Sequence, residues 1–185
     1  MPGRLKDKIA IVTGASSGLG RAISLAFGAE GACVVCSDIR EESKGESQDE
    51  DAQLYTHDLV VQRGGKAFFQ KCDTGSSDEV ERLVECAVKE YGRVDIMVNN
   101  AGITAEGALG REAGDQPIWN VAEDTWDRTM RVNAKGVFLG CKWASRQMVK
   151  QEPGPSGDRG WIINIAVRTP GTPTATRTME SGKPH

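Results

Sequence analysis

The sequence predicts an α/β fold, a doubly wound parallel sheet with helices on both faces, and three observations carry that expectation. Short apolar runs alternate with amphipathic segments from the N-terminus to about Ala166, the pattern of repeated strand-helix-strand units with right-handed crossovers. One of those runs, Ala32-Cys33-Val34-Val35-Cys36, is apolar without alternation, as a strand buried on both faces requires. The first run, Ile9-Ala10-Ile11-Val12, leads straight into a glycine turn, Thr13-Gly14-Ala15-Ser16-Ser17-Gly18-Leu19-Gly20, and then into a helical pattern.

The elements follow in order. Lys8–Val12 is the first strand. Ser17–Glu30 carries Leu19, Ile23, Leu25, Ala26 and Phe27 at helical spacing and stops at Gly31. Cys33–Ser37 is the second strand. The acidic stretch from Glu41 to Asp51 is too charged to pack and reads as a solvated loop, followed by a short helix ending near Gly64-Gly65. Lys66–Lys71 is the third strand. Ser77–Tyr91 is an amphipathic helix with Val80, Leu83, Val84, Ala87 and Val88 on its apolar face, and Ser77 is its expected cap. Val94–Val98 is the fourth strand, and residues 103–120 read as a long glycine-rich loop. A helix is expected from about Ala122 to Met148, a Pro/Gly turn over Gln151–Arg159, and a fifth strand at Trp161–Ile165. The ligand of such a sheet lies at the carboxyl ends of the strands, at the switch point between strands one and four.

Composition narrows the function classes. A net charge of −3 predicts no general nucleic-acid footprint. No apolar stretch approaches the roughly 20 residues of a membrane span, and the N-terminal Met1–Asp7 lacks the apolar core of a signal peptide. Five cysteines are an odd number. Cys33 and Cys36 form a C-x-x-C, but within a strand a separation of three puts them on opposite faces, and no second pair completes a zinc site. Free thiols point to a cytoplasmic protein, and no metal is expected.

The glycine turn carries the chemistry. Gly14 permits the sharp turn off the strand, and Gly18 and Gly20 let backbone approach a bulky anion closely. The following helix aims its unpaired N–H groups at that place, and a pyrophosphate is the natural occupant. Asp38 stands eighteen residues after Gly20, just past the second strand. A carboxylate there accepts hydrogen bonds from the adenosine ribose hydroxyls and repels a 2′-phosphate. Ile39 and Ser17 supply no positive charge for such a phosphate, which leaves only Arg40 to swing in. NAD is therefore expected over NADP.

Taken together, Thr13-Gly14-x-x-x-Gly18-x-Gly20, Asp73 after strand three, Asn99-Asn100-Ala101-Gly102 after strand four and Asn133 in Val132-Asn133-Ala134-Lys135-Gly136 resemble the short-chain dehydrogenase/reductase family over about residues 5–166. The resemblance implies a Rossmann-like domain over residues 1–166 and reversible hydride transfer between a nicotinamide and a secondary alcohol or ketone. It implies Gly14, Ser16, Gly18, Leu19 and Gly20 around the pyrophosphate, with Asp38 at the ribose and Asp73 at the adenine. It also implies Asn100 and Gly102 near the nicotinamide ribose, Asn99 lining that pocket, and Asn133 kinking its helix and holding a proton-relay water.

The departures are equally specific. The family's strand five ends in a catalytic Ser, followed by a Tyr and, four residues later, a Lys. Here Val167 stands at the Ser position, and Tyr55 and Tyr91 are followed four residues later by Leu59 and Asp95. Lys183 has no tyrosine before it. Val167–His185 holds five threonines and three prolines and almost nothing apolar, which predicts a disordered tail outside the family pattern. The expectation is a member truncated after strand five and inactive alone, with Asn133 as the one catalytic-set residue retained. The alternative is a non-catalytic dinucleotide-binding pseudoenzyme that forms homo- or hetero-oligomers.

Overall fold

The computed structural model describes residues 3–42, 51, 54–103 and 118–166. Five strands form one fully parallel sheet: β1 (Ile9–Thr13), β2 (Cys33–Asp38), β3 (Lys66–Lys71), β4 (Ile96–Asn99) and β5 (Trp161–Asn164), in the order β3-β2-β1-β4-β5. The order reverses between β2-β1 and β4, so the crevice opens at the carboxyl ends of β1 and β4, as expected for a doubly wound sheet.

Strand alternation divides the core into two layers. Ile11, Val35 and Met97 face α3 (Ser77–Tyr91) and α5 (Val137–Met148), packing on Val80, Leu83, Val84, Ala87, Leu139, Ala144 and Met148. Ala10, Val12, Val34, Cys36, Ile96 and Val98 face the other way, against Ile23 and Phe27 of α1 (Gly18–Ala29). The short helix α2 (Thr56–Gln62) packs on α1 and β3. Every residue of β1 is buried, which is why its sequence shows no polar face. Cys33 and Cys36 fall on opposite sides of β2, and Cys36 belongs to the α1 layer. Among the described residues no His/Cys/Asp/Glu cluster could hold a metal, and no helix is long and apolar enough to cross a membrane.

Several local expectations shift. β1 and β4 begin and end later than the expected Lys8–Val12 and Val94–Val98. Val94 and Asp95 lie before β4, held by Gln151 and by the backbone carbonyl of Ile9. Ser77 does not cap α3. The residue preceding the helix is Ser76, and the Ser77 hydroxyl instead accepts the indole N–H of Trp143 on α5 at 3.2 Å. A tertiary partner thus displaces the local cap. The helix expected over 122–148 is three pieces: α4 (Glu123–Met130), a π-helical segment Arg131–Gly136, and α5. Ile118–Asn120 forms a single 3₁₀ turn. The rest of the 103–120 loop, most of the 41–51 loop, and the 167–185 tail with Val167 lie outside the described residues.

Candidate functional site

Thr13, at the end of β1, organises the crevice. Its buried hydroxyl donates to the Val98 carbonyl at 3.2 Å and accepts the N–H groups of Asn100 and Ala101, both at 3.0 Å. The Asn100 amide completes the latch, donating to the carbonyls of Thr13 at 2.9 Å and Gly14 at 3.4 Å. The chain after β4 is thereby fastened to the chain after β1.

The glycine turn folds as its residues dictate. Gly14 has φ +68°, and a Cβ there would stand 2.9 Å from the Asn100 amide nitrogen and 3.0 Å from the Ala101 Cα. A Cβ on Gly20 would come within 2.1 Å of the Gly14 carbonyl oxygen. Only glycine allows α1 to start this close to β1. Beside Gly18 there is open space, and the first turn of α1 carries no acidic residue. The first-turn N–H groups of a helix lack intrahelical partners, so this helix start suits an anion. These features fit a dinucleotide's pyrophosphate.

A cleft of about 260 Å³ runs beside this turn, lined by Gly14, Leu19, Asp38, Asp73, Asn100 and Gly102 among the residues named from sequence. Leu19, an apolar side chain 53% exposed, forms part of its rim. Ser17, Ile39, Cys72, Thr74, Ala101, Ile103 and Val132 also line it. Each is an immediate chain neighbour of a motif residue, although their shared place at the cleft appears only in the fold. Ser16, Gly18, Gly20 and Asn133 are not among the lining residues. The Ser16 hydroxyl is buried and donates to the Arg40 carbonyl at 2.7 Å. Asn99 is buried too, and its amide donates to Asn164 Oδ1 at 2.8 Å, tying β4 to β5.

The Asp38 carboxylate is fixed at the cleft by two backbone N–H groups, Ile39 at 2.8 Å and Ser16 at 3.3 Å. Arg21, the nearest basic side chain on α1, is engaged elsewhere. Its guanidinium donates to the carbonyls of Asp51 and Leu54 and to the Thr56 hydroxyl. Thr56 in turn donates to the Ala15 carbonyl at 2.8 Å, so α2 is docked onto the glycine turn. Asp73 holds an ion pair with Arg131 and accepts the Gly75 N–H at 2.9 Å. Burial pushes its carboxyl up, but hydrogen bonds from Arg131 and Gly75 and the charges of Arg131 and Lys135 outweigh it, leaving it below the usual 3.8. Burial also pushes the Cys36 and Cys72 thiols up to about 12, so both are inert protonated thiols.

Asn133 sits in the π-helical segment. Its amide accepts the Ile103 N–H at 2.9 Å and donates to the Ile103 carbonyl at 2.8 Å. The side chain therefore pins the segment that follows β4.

A family model described as short chain dehydrogenase matches residues 8–179 of this chain. The chain belongs to the short-chain dehydrogenase family. Tropinone reductase-like 2 of Erythroxylum coca is 40% identical over 153 residues, covering 82% of this chain and 49% of that protein. A Thermotoga maritima protein named as an uncharacterized oxidoreductase is 38% identical over 161 residues, 87% of this chain and 54% of its own. The crystal structure of a short-chain type dehydrogenase/reductase from Mycobacterium marinum superposes with a TM-score of 0.70 at 31% identity, over 86% of this chain and 56% of that one. This short-chain dehydrogenase chain spans about half the length of the curated relatives it matches.

Proposed function

We propose that this chain is a nucleotide-binding part of a short-chain dehydrogenase that takes NAD(H) in preference to NADP(H), and that these 185 residues do not turn over an alcohol or ketone by themselves. The observation that carries the cofactor reading is Asp38. Its carboxylate is held at the cleft by two N–H groups, and Arg21 is tied to the residues leading into α2 and at its start. A 2′-phosphate would meet a negative charge there and gain nothing from Arg21. The glycine turn and the start of α1 would hold the pyrophosphate, with Asp73 at the adenine end and Asn100 and Gly102 near the nicotinamide ribose.

The bound nicotinamide supplies or accepts the hydride in alcohol–ketone interconversion. What these residues lack is a group to move the alcohol proton. Val167 stands at the family's Ser position, and no Tyr-x-x-x-Lys occurs within the 185 residues. Tyr91 packs against Phe68, and burial pushes its hydroxyl up to about 12. Tyr55 stacks on His57. Neither lines the cleft. Asn133 is the retained member of the catalytic set. General acid/base catalysis supplies about 10²–10⁴-fold, and a carbonyl-polarising donor about 10²–10³-fold more.

Five free thiols among the described residues support a cytoplasmic setting. A second reading, a non-catalytic nucleotide-binding subunit that assembles with itself or a longer relative, is favoured by β5. It pairs on one side only among the described strands, with Trp161 and Ile163 each 39% exposed. Calorimetry with NAD and NADP, paired with an NADH-formation assay on secondary alcohols, tests the main reading. The expected result is tighter NAD binding without turnover. Tighter NADP binding, or substrate-dependent NADH formation by the purified chain, contradicts it.

A further inference from the structure

The π-helical segment touches both walls of the cleft. Its first residue, Arg131, donates from Nη2 to Asp73 Oδ2, while Asp73 Oδ1 accepts the Gly75 N–H. The Asp73 N–H is itself held by Glu79 Oε2 at 2.8 Å. A Cβ at position 75 would stand 2.8 Å from Arg131 Cζ and 2.9 Å from its Nε, so the guanidinium would have to shift to admit one. At the other end of the segment, a Cβ on Gly136 would meet the Thr74 hydroxyl at 3.0 Å. In between, Asn133 pins Ile103 through both amide atoms. Asp73, Thr74, Ile103 and Val132 all line the cleft.

Resting on the nucleotide-binding reading, we infer that Arg131 is a positioning residue for the adenine end of the ligand, holding the Asp73 carboxylate in one orientation and joining that wall, through the π-helical segment, to the Asn133–Ile103 latch. Arg131 needs no contact with the ligand for this. The charged groups around Asp73 are Arg131 and Lys135 from the π-helical segment and Glu79 from α3. Arg131 donates directly to the carboxylate, whereas Glu79 binds only the Asp73 backbone.

The test uses the 185-residue chain, AMP and nicotinamide mononucleotide as probes, and carboxyl NMR of Asp73. In Arg131→Gln, AMP affinity is expected to fall about two- to fivefold, the scale of a partly exposed ion pair, while nicotinamide mononucleotide affinity holds. The Asp73 titration is expected to move to higher pH, and the pH below which AMP binding weakens moves with it. Arg131→Lys restores part of both. Gly75→Ala, which displaces the guanidinium without deleting it, reproduces the loss and serves where Arg131→Gln does not fold. Unchanged AMP affinity and an unmoved Asp73 titration in a folded variant would overturn the inference. A parent chain that binds neither AMP nor NAD, with the Asp73 titration still moving, would instead overturn the nucleotide reading on which the affinity effect rests.

Discussion

Asp38 shows how far single residues can be read. Its distance from the glycine turn and its place at a strand end mark it in the sequence, and the structure sets its carboxylate at the cleft. If Asp38 accepts the ribose hydroxyls as proposed, Asp38→Ala is expected to weaken NAD binding by about 1–3 kcal/mol, the scale of a hydrogen bond to a charged group. Calorimetry on a variant with unchanged melting temperature checks this, and an unchanged affinity contradicts it. Asp73 was also legible, but its ion pair was not, because Arg131 stands 58 residues away. The folded carboxyl lies below its usual value. The stability it contributes is therefore present above about pH 4 and lost as pH falls through the lower folded value. Arg131→Gln should blunt that acid sensitivity in a pH series of thermal melts. Thr13 and Gln151 were illegible as anchors for the same reason. Gln151 holds both backbone groups of Val94, at 2.8 and 2.9 Å, from 57 residues away. No local pattern encodes such a partner.

At the scale of elements, apolar patterning located all five strands and the helices α1 and α3, most plainly where a run or stripe is buried, as in β1, β2 and α3. The bounds of α3 match the expected Ser77–Tyr91, but the role of Ser77 differs: it is the first helical residue, and its hydroxyl accepts the Trp143 indole N–H rather than capping the helix. The π-helical segment was foreshadowed only by the resemblance that marked Asn133 as a helix kink. The close approach of α5 to β4 was not foreseen at all. It depends on Gly140, where a Cβ would stand 1.8 Å from Asn99 Oδ1. Asn99 is buried and bonded to Asn164, so it cannot swing away freely. Gly140→Ala is expected to cost about 1–3 kcal/mol of stability by overpacking, against the few tenths to 1 kcal/mol that Ala ordinarily gains over Gly inside a helix. Denaturant unfolding decides the sign, and a stabilised variant would mean that α5 can shift outward without loss.

For the whole molecule, the sheet order and the crevice at the β1/β4 switch follow from the strand-helix alternation, and the site assembles there from five separate chain segments. Only the glycine turn announces the site locally. The latch of Thr13 and Asn100, the docking of α2 through Thr56, and the Arg131–Asp73 pair all appear once the sheet is built. Among the described strands β5 pairs on one side, with Trp161 and Ile163 partly exposed and no proline or lysine within the strand. Such an edge invites pairing. Light scattering on the 185-residue chain should show concentration-dependent self-association, and a monodisperse monomer melting in the ordinary mesophile range would contradict it. The central claim is that the cleft beside Gly14–Gly20 holds a nicotinamide dinucleotide. The most direct measurement is amide NMR of the chain titrated with NAD. Saturable shifts are predicted at Gly14, Ser17, Gly18, Leu19 and Gly20, at Asp38 and Ile39, at Asp73 and Thr74, and at Asn100 through Gly102. The amides of β3 and the C-terminal half of α3 should stay still. No shifts at millimolar NAD, or shifts confined to residues outside this cleft, would contradict the claim.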